Sequence, residues 1–194
     1  MRIGIFGGSF NPPHLMHEAI ALELIKNGYV DKVIYVPTGN MYPKAGLACC
    51  EDRYEMVKRM ISGNDKLEVS DYEFGKLTYT YQTLDYFKEK YHSFEIYFIC
   101  GTDNLRGFCN WKNYEYILDN FKVIVIRRNN DDIDEILEKY SKKNENIIVC
   151  DISYDIISST EIRKILKNNR KSKELNRKLK PQVLEYIYEK DLYN

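Results

Sequence analysis

Two histidines stand three residues apart in Gly7-Gly8-Ser9-Phe10-Asn11-Pro12-Pro13-His14-Leu15-Met16-His17, directly after an apolar run. Pro13 suits a first helical turn, where its missing N–H costs nothing, and the spacing then puts His14 and His17 on one face. A helix start offers N–H groups without intrahelical partners and a positive potential. With two imidazoles added, the site suits a crowded, highly charged phosphate group. Gly7 and Gly8 let backbone approach such a ligand closely. Zinc ligation is the competing use of a histidine pair, but His92 is the only other histidine. A second informative stretch lies about 140 residues further on, in Ile157-Ser158-Ser159-Thr160-Glu161-Ile162-Arg163. Ser158 and Glu161 have capping-box spacing, which alone predicts only a well-capped helix. Ser159, Thr160 and Arg163 add hydroxyls and a guanidinium to the same helix start, a second set of phosphate ligands.

These stretches need a scaffold. Arg2–Phe6, Lys32–Val36, Glu95–Cys100, Lys122–Ile126 and Asn146–Val149 are apolar on both parities, the pattern of strands buried on two faces. Leu67–Ser70 is a weaker candidate. Helical patterns fall at His14–Asn27, Glu51–Ile61, Tyr79–Tyr91, Asn113–Asp119 and Asp131–Lys142. The alternation predicts an α/β fold, a parallel sheet covered by helices. From Ser158 to Tyr193 only helices are expected, with a break at Pro181. Neither the dinucleotide fingerprint GxGxxG nor the P-loop GxxxxGK[ST] occurs, which argues against a dinucleotide-dependent oxidoreductase.

Composition narrows the rest. With 194 residues, 44% hydrophobic and 30% charged, the chain is long and apolar enough for one folded domain, residues 1–194, with 158–194 as its helical final part. Twenty-nine basic residues balance twenty-nine acidic ones, so a strongly basic nucleic-acid binder is not expected. No apolar run reaches membrane-spanning length and no signal segment precedes Arg2–Phe6, so no membrane partner and a cytoplasmic location are expected. The five cysteines are odd in number and lack a CxxC pair, so neither a disulfide framework nor a zinc knuckle is expected. Residues 129–155 hold eight acidic and three basic groups, and residues 160–194 hold ten basic and five acidic. Two solvated faces of opposite sign account for this; a basic end that helps hold a polyanion is the functional alternative. No pattern fixes an oligomeric state.

The segment GSFNPPHLMH resembles the signature G-x-F-[DN]-P-x-H-x-G-H of the nucleotidyltransferase superfamily, with Met16 standing where that signature has Gly. ISSTEIR resembles the ISSTxIR motif of its adenylyltransferases. Thr78-Tyr79-Thr80-Tyr81 resembles the [ST]-Y-T segment of nicotinate-nucleotide adenylyltransferases. Ile99-Cys100-Gly101-Thr102-Asp103, Trp111 and the terminal LKPQVLEYIYE resemble that family's strand-end G-x-D, ring-stacking Trp and closing helix. The resemblance covers essentially the whole chain. It implies a Rossmann-like nucleotidyltransferase fold with helices on both faces of the sheet. It implies transfer of AMP from ATP to nicotinate mononucleotide, with Mg²⁺ accompanying ATP and no dedicated metal cage in the protein. It implies catalytic roles for His14, His17, Lys44 and Arg163: His17 on the α-phosphate, His14 orienting the triphosphate, Lys44 and Arg163 helping pyrophosphate leave. ATP contacts would come from Gly7, Gly8, Ser9, Phe10, Gly101, Asp103, Ile157, Ser158, Ser159 and Thr160. Tyr79 and Thr80 would hold the pyridine carboxylate through backbone N–H groups, and Trp111 would stack on the ring. Of the loop pattern P-P-H-K only Pro43-Lys44 remain, and a solvated lysine is the other reading of Lys44. A pantetheine-phosphate adenylyltransferase and a nucleotide-binding regulator without turnover are the alternatives.

Overall fold

Alternating strands and helices lead the chain back and forth across one sheet. The elements run β1 (Arg2–Gly8), α1 (Leu15–Lys26), β2 (Lys32–Pro37), α2 (Cys50–Met60), β3 (Leu67–Val69), α3 (Thr80–Lys90), β4 (Glu95–Gly101), α4 (Thr102–Arg106), α5 (Tyr114–Asn120), β5 (Lys122–Arg127), α6 (Ile133–Glu138), β6 (Ile147–Asp151), α7 (Ser159–Asn168) and α8 (Pro181–Glu189). This is a computed structural model, and it describes residues 1–41, 46–127, 133–141, 144–152 and 157–194. The six strands pair in parallel in the order β3-β2-β1-β4-β5-β6. The chain first adds strands outward from β1 through β2 to β3, then crosses to the other side of β1 with β4. At that switch point the two halves diverge, and a crevice opens at the carboxyl ends of β1 and β4.

The both-parity apolar pattern has a direct structural reading. Phe6, Val33, Tyr35, Tyr97, Ile99, Ile124 and Ile126 point to one face, where they meet Ile20 and Leu24 of α1, Met56 and Val57 of α2, Ile162 of α7 and Ile187 of α8. Their strand neighbours Ile5, Ile34, Ile96, Phe98, Val123 and Val125 point to the other face. There they meet Leu84 and Phe87 of α3, Leu105 of α4, Ile117 of α5 and Ile133 of α6. Each fully buried aliphatic side chain contributes about 1.5–3 kcal/mol, so the two layers fix the strand ends that carry the loops. Cys100 and Cys150 are buried, and all five cysteines are free thiols. Among the described residues no helix is long and apolar enough to cross a membrane.

Several boundaries move for local reasons. Asn146 stays outside β6, because its amide donates to the Leu118 carbonyl at 2.8 Å and its Oδ1 accepts from Lys122 at 2.6 Å. The expected helix at Asp131–Lys142 is α6 over Ile133–Glu138, and the ends of the expected span lie outside the described residues. The sequence reading missed α4, a single short helix entered directly from the last residue of β4. The final part is helical as expected, with Pro181 opening α8, where a proline is tolerated.

Candidate active site

A cleft of about 980 Å³ opens over the carboxyl ends of β1 and β4. Of the residues expected to act on substrate, His14, His17, Arg163, Gly7, Gly8, Ser9, Phe10, Gly101, Asp103, Ile157, Ser158, Ser159, Thr160, Tyr79, Thr80 and Trp111 all line it. Lys44 lies outside the described residues.

The histidine loop is held from below by aromatic rings. Phe10 adopts a left-handed backbone, φ 45°, and turns its ring back under Gly8, where a Cβ would come within 3.1 Å of it. Gly8 therefore makes room for Phe10 and also lines the cleft. The Phe10 ring meets the rings of Phe6, Tyr35 and His17 at 5.7, 5.5 and 5.0 Å. The Tyr35 hydroxyl donates to the His17 carbonyl at 2.9 Å.

α1 starts at Leu15 with His14 as its N-cap, so Pro13 lies just outside the helix. The shift matters because the His14 N–H donates to Nδ1 of His17 at 3.1 Å. The two rings stack, with centroids 3.7 Å apart and planes 25° apart. Since Nδ1 of His17 accepts, the neutral ring carries its proton on Nε2. The start of α1 is less open to anions than expected. The Leu15 N–H donates to the Lys178 carbonyl at 3.0 Å and the His17 N–H to the His14 carbonyl at 2.9 Å.

α7 is bolted across this loop. The Ser159 hydroxyl donates to the Pro12 carbonyl at 2.9 Å, and Arg163 donates to the Asn11 carbonyl at 2.7 Å and to Thr160 Oγ1 at 3.3 Å. Ser158 is the N-cap, but its side chain makes no cap bond. The expected capping box is not formed, and Glu161 Oε2 instead pairs with Lys178 at 3.2 Å. What remains at this helix start is backbone N–H, the Ser158 and Thr160 hydroxyls and a guanidinium with donors to spare.

At the opposite end of the cleft, α3 begins with Tyr79 as its N-cap. The Tyr79 N–H, expected as a carboxylate donor, donates to Gln82 Oε1 at 3.0 Å in this structure. The Thr80 N–H, first in the helix, has no intrahelical acceptor. Trp111 is half-buried against Phe108 and Phe98, with ring centroids 5.1 and 6.0 Å away. Lys112 lies 4.5 Å over the Tyr79 ring. Met16, which stands where the signature has Gly, packs in the core and is not among the residues lining the cleft.

The sequence reading missed five residues here. Thr78 Oγ1 is buried at the cleft and has no hydrogen-bond partner among the described residues. Glu73 accepts from Thr83 Oγ1 at 2.7 Å, and burial pushes its carboxyl above the usual range while the Gly39 N–H opposes the shift. Gly39 is obligatory there, because a Cβ would meet the Glu73 carbonyl oxygen at 2.1 Å. Arg53, fully buried in α2, donates to the Ala48 and Ser9 carbonyls at 2.9 Å each, to Thr38 Oγ1 at 3.3 Å and to the Thr38 carbonyl. Asn11 donates to the Gly46 carbonyl at 2.9 Å and accepts from the Ala48 N–H at 3.0 Å. Of these, only Thr78 and Asn11 sat inside motifs that a sequence reader had reason to inspect.

A stacked histidine pair at the start of α1 and the hydroxyls and guanidinium at the start of α7 face one cleft at a sheet switch point, the arrangement of a nucleotidyltransferase. The family model for cytidylyltransferase-like proteins matches residues 5–165, and the chain belongs to that family. Within it the likeness is narrower. The chain is 38% identical over its whole length to a protein of Caldicellulosiruptor saccharolyticus described as "probable nicotinate-nucleotide adenylyltransferase", of which 99% is covered. It is 40% identical to a Fusobacterium nucleatum protein of the same description, over 96% of this chain and 100% of the other. The Plasmodium falciparum nicotinic acid mononucleotide adenylyltransferase, solved in complex with NaAD, superposes with a TM-score of 0.84 at 25% identity, covering 99% of this chain and 97% of that one. The family is thus that of the nicotinate-nucleotide adenylyltransferases.

Proposed function

We infer that this chain transfers the adenylyl group of ATP to nicotinate mononucleotide, releasing pyrophosphate, and that it does so in the cytoplasm. One observation carries the reading. A single cleft joins the stacked His14–His17 pair and the α7 start at one end to Trp111, Thr78 and the α3 start at the other. The first end suits a triphosphate. The second suits a flat ring with a carboxylate, which the Thr80 N–H and the Thr78 hydroxyl would bind.

The chemistry follows from charge. The nucleophile is a phosphate monoester oxygen, and its second pKa of about 6 leaves it mostly dianionic at neutral pH. No general base is needed. The barrier lies in bringing two polyanions together and in stabilising charge on the α-phosphate and the leaving pyrophosphate. His17, with its proton on Nε2, donates to the α-phosphate. His14, stacked on it, orients the triphosphate. Ser159 and Arg163 already fix the loop through Pro12 and Asn11, and the remaining N–H groups of Arg163 take charge from the departing phosphates. Among the described residues no group of three or more His, Cys, Asp or Glu is placed to hold a metal. A Mg²⁺ arriving with ATP would be held mainly by the substrate, and Asp103, which lines the cleft, would be a carboxylate candidate for it. When bound, it supplies charge neutralisation on the triphosphate.

The test is pyrophosphate release with ATP and Mg²⁺, offering nicotinate mononucleotide, nicotinamide mononucleotide and phosphopantetheine separately. Turnover fastest with the first supports the reading. Turnover only with phosphopantetheine, or with none, overturns it.

A further inference from the structure

Asn11 sits between the two cleft halves with a crowded side chain, and one of its partners comes from the far end of the sequence. Besides the Ala48 N–H, its Oδ1 accepts a hydrogen bond of 2.9 Å from the hydroxyl of Tyr193, 182 residues away. Asn11 is 3% exposed, and its own carbonyl is the one Arg163 holds. Three separate elements therefore converge on the residue before Pro12, three positions ahead of His14.

The segment that delivers Tyr193 is a built hook. After α8 the chain turns back through two left-handed residues, Asp191 at φ 53° and Tyr193 at φ 65°. Bulky side chains disfavour that region, and such residues persist where surrounding contacts over-determine them. The contacts are present. Arg170 donates to the Leu192 carbonyl at 3.0 Å and the Ile187 carbonyl at 3.4 Å, pairs with Asp191 at 3.5 Å, and also binds Asn194. The Leu192 N–H donates to the Ile187 carbonyl at 3.0 Å. Leu192 and Tyr193 also pack on the core layer that contains Phe10 and Met16. Burial raises the Tyr193 phenol above its usual range, against the lowering pull of the nearby Arg163 and Arg53 charges. The hydroxyl therefore stays protonated and remains a donor.

We propose that Tyr193 is a positioning residue: its hydroxyl, delivered by the hook after α8, holds Asn11 and so fixes the loop that presents His14 and His17 to the phosphates. The proposal deepens the adenylyl-transfer reading and rests on it for its kinetic effect. Without the hydroxyl, Asn11 keeps the Ala48 bond but loses one restraint, and the histidine pair samples more positions. Binding, shared over the whole cleft, changes little. The chemical step, which needs His17 aligned with the α-phosphate, slows.

The experiment compares wild type, Tyr193→Phe and Tyr97→Phe. Phe keeps the packing and removes only the hydroxyl. Tyr97→Phe is the control, because that hydroxyl donates to Glu95 at the start of β4 and touches neither the hook nor the histidine loop. In Tyr193→Phe, kcat falls about 3- to 10-fold, the worth of one neutral hydrogen bond, while KM for both substrates stays within about twofold. Hydrogen exchange at the His14 and Leu15 amides rises by a similar factor of about 3 to 10. Exchange in β5 stays unchanged, and Tyr97→Phe matches wild type in both measurements. In an active enzyme both kcat and loop exchange must move; either alone, or a uniform rise in exchange across the sheet, overturns the proposal. If wild type releases no pyrophosphate with nicotinate mononucleotide, the functional reading fails by itself. The exchange comparison then decides whether Tyr193 holds the loop: a rise confined to His14 and Leu15 upholds it, and no rise overturns it.

Discussion

Replacing Arg53 with Met tests whether the cleft is held open from beneath by one buried guanidinium. Arg53 is 0% exposed, and its four hydrogen bonds all go to uncharged acceptors on three separate segments: Ser9, Thr38 and Ala48. Desolvation pulls its pKa down from the ordinary arginine value, so the charge is kept at a cost that those carbonyls offset. Met fills a similar length of space but strands the three carbonyls. A buried acceptor without its donor costs about 1–3 kcal/mol. Relief of the guanidinium desolvation offsets part of that, leaving a net loss of about 3–5 kcal/mol. For a chain of this size the melting temperature falls on the order of 10 °C. Urea unfolding of wild type, Arg53→Met and Arg53→Lys measures it. Lys retains charge but lacks the planar fork, so it should fall between the other two. A loss below about 1 kcal/mol in Arg53→Met would refute the reasoning, as would a Lys variant as stable as wild type.

His17→Ala should lower kcat by about 10²- to 10³-fold, the worth of a donor on developing charge, while KM for ATP changes little. An unchanged kcat in steady-state pyrophosphate release sinks the assignment. Thr78→Val keeps shape and removes the orphaned hydroxyl, so KM for nicotinate mononucleotide should rise about 3- to 10-fold with no loss of melting temperature; an unaltered KM removes Thr78 from the substrate site. Glu73 has a folded-state pKa above its unfolded value, so it binds its proton more tightly when folded. Its stabilising contribution is present below the ordinary carboxylate pKa and is lost as pH rises through the raised one. Glu73→Gln should therefore gain on wild type in melting temperature across that window. A pH-independent difference between the two would contradict the burial argument.

Sheet and helices were legible because burial on two faces writes itself into adjacent residues. Val33-Ile34-Tyr35-Val36 and Val123-Ile124-Val125-Ile126 are apolar at every position because each neighbour enters a different core layer. The short helix α4 left no comparable trace, since five residues make barely one turn of periodicity. The site was legible where chemistry is contiguous in sequence: Gly7 to His17 and Ile157 to Arg163. It was opaque where the decisive contact spans distant segments. Arg53 looked like one more charge on an amphipathic helix, although three loops converge on it. The engagement of the Tyr79 N–H by Gln82, and of Glu161 by Lys178, depends on rotamers and on neighbours that spacing does not encode.

Trp111 is the one tryptophan in a chain with 17 tyrosines. Those rings are spread through the fold, so excitation absorbed by tyrosine is passed on towards a single indole at one wall of the cleft. The emission of that indole reports on its surroundings at that wall. If the acceptor's electron-poor ring stacks there as proposed, its binding would dim the emission, and the protein would carry an unlabelled optical gauge for one end of its cleft.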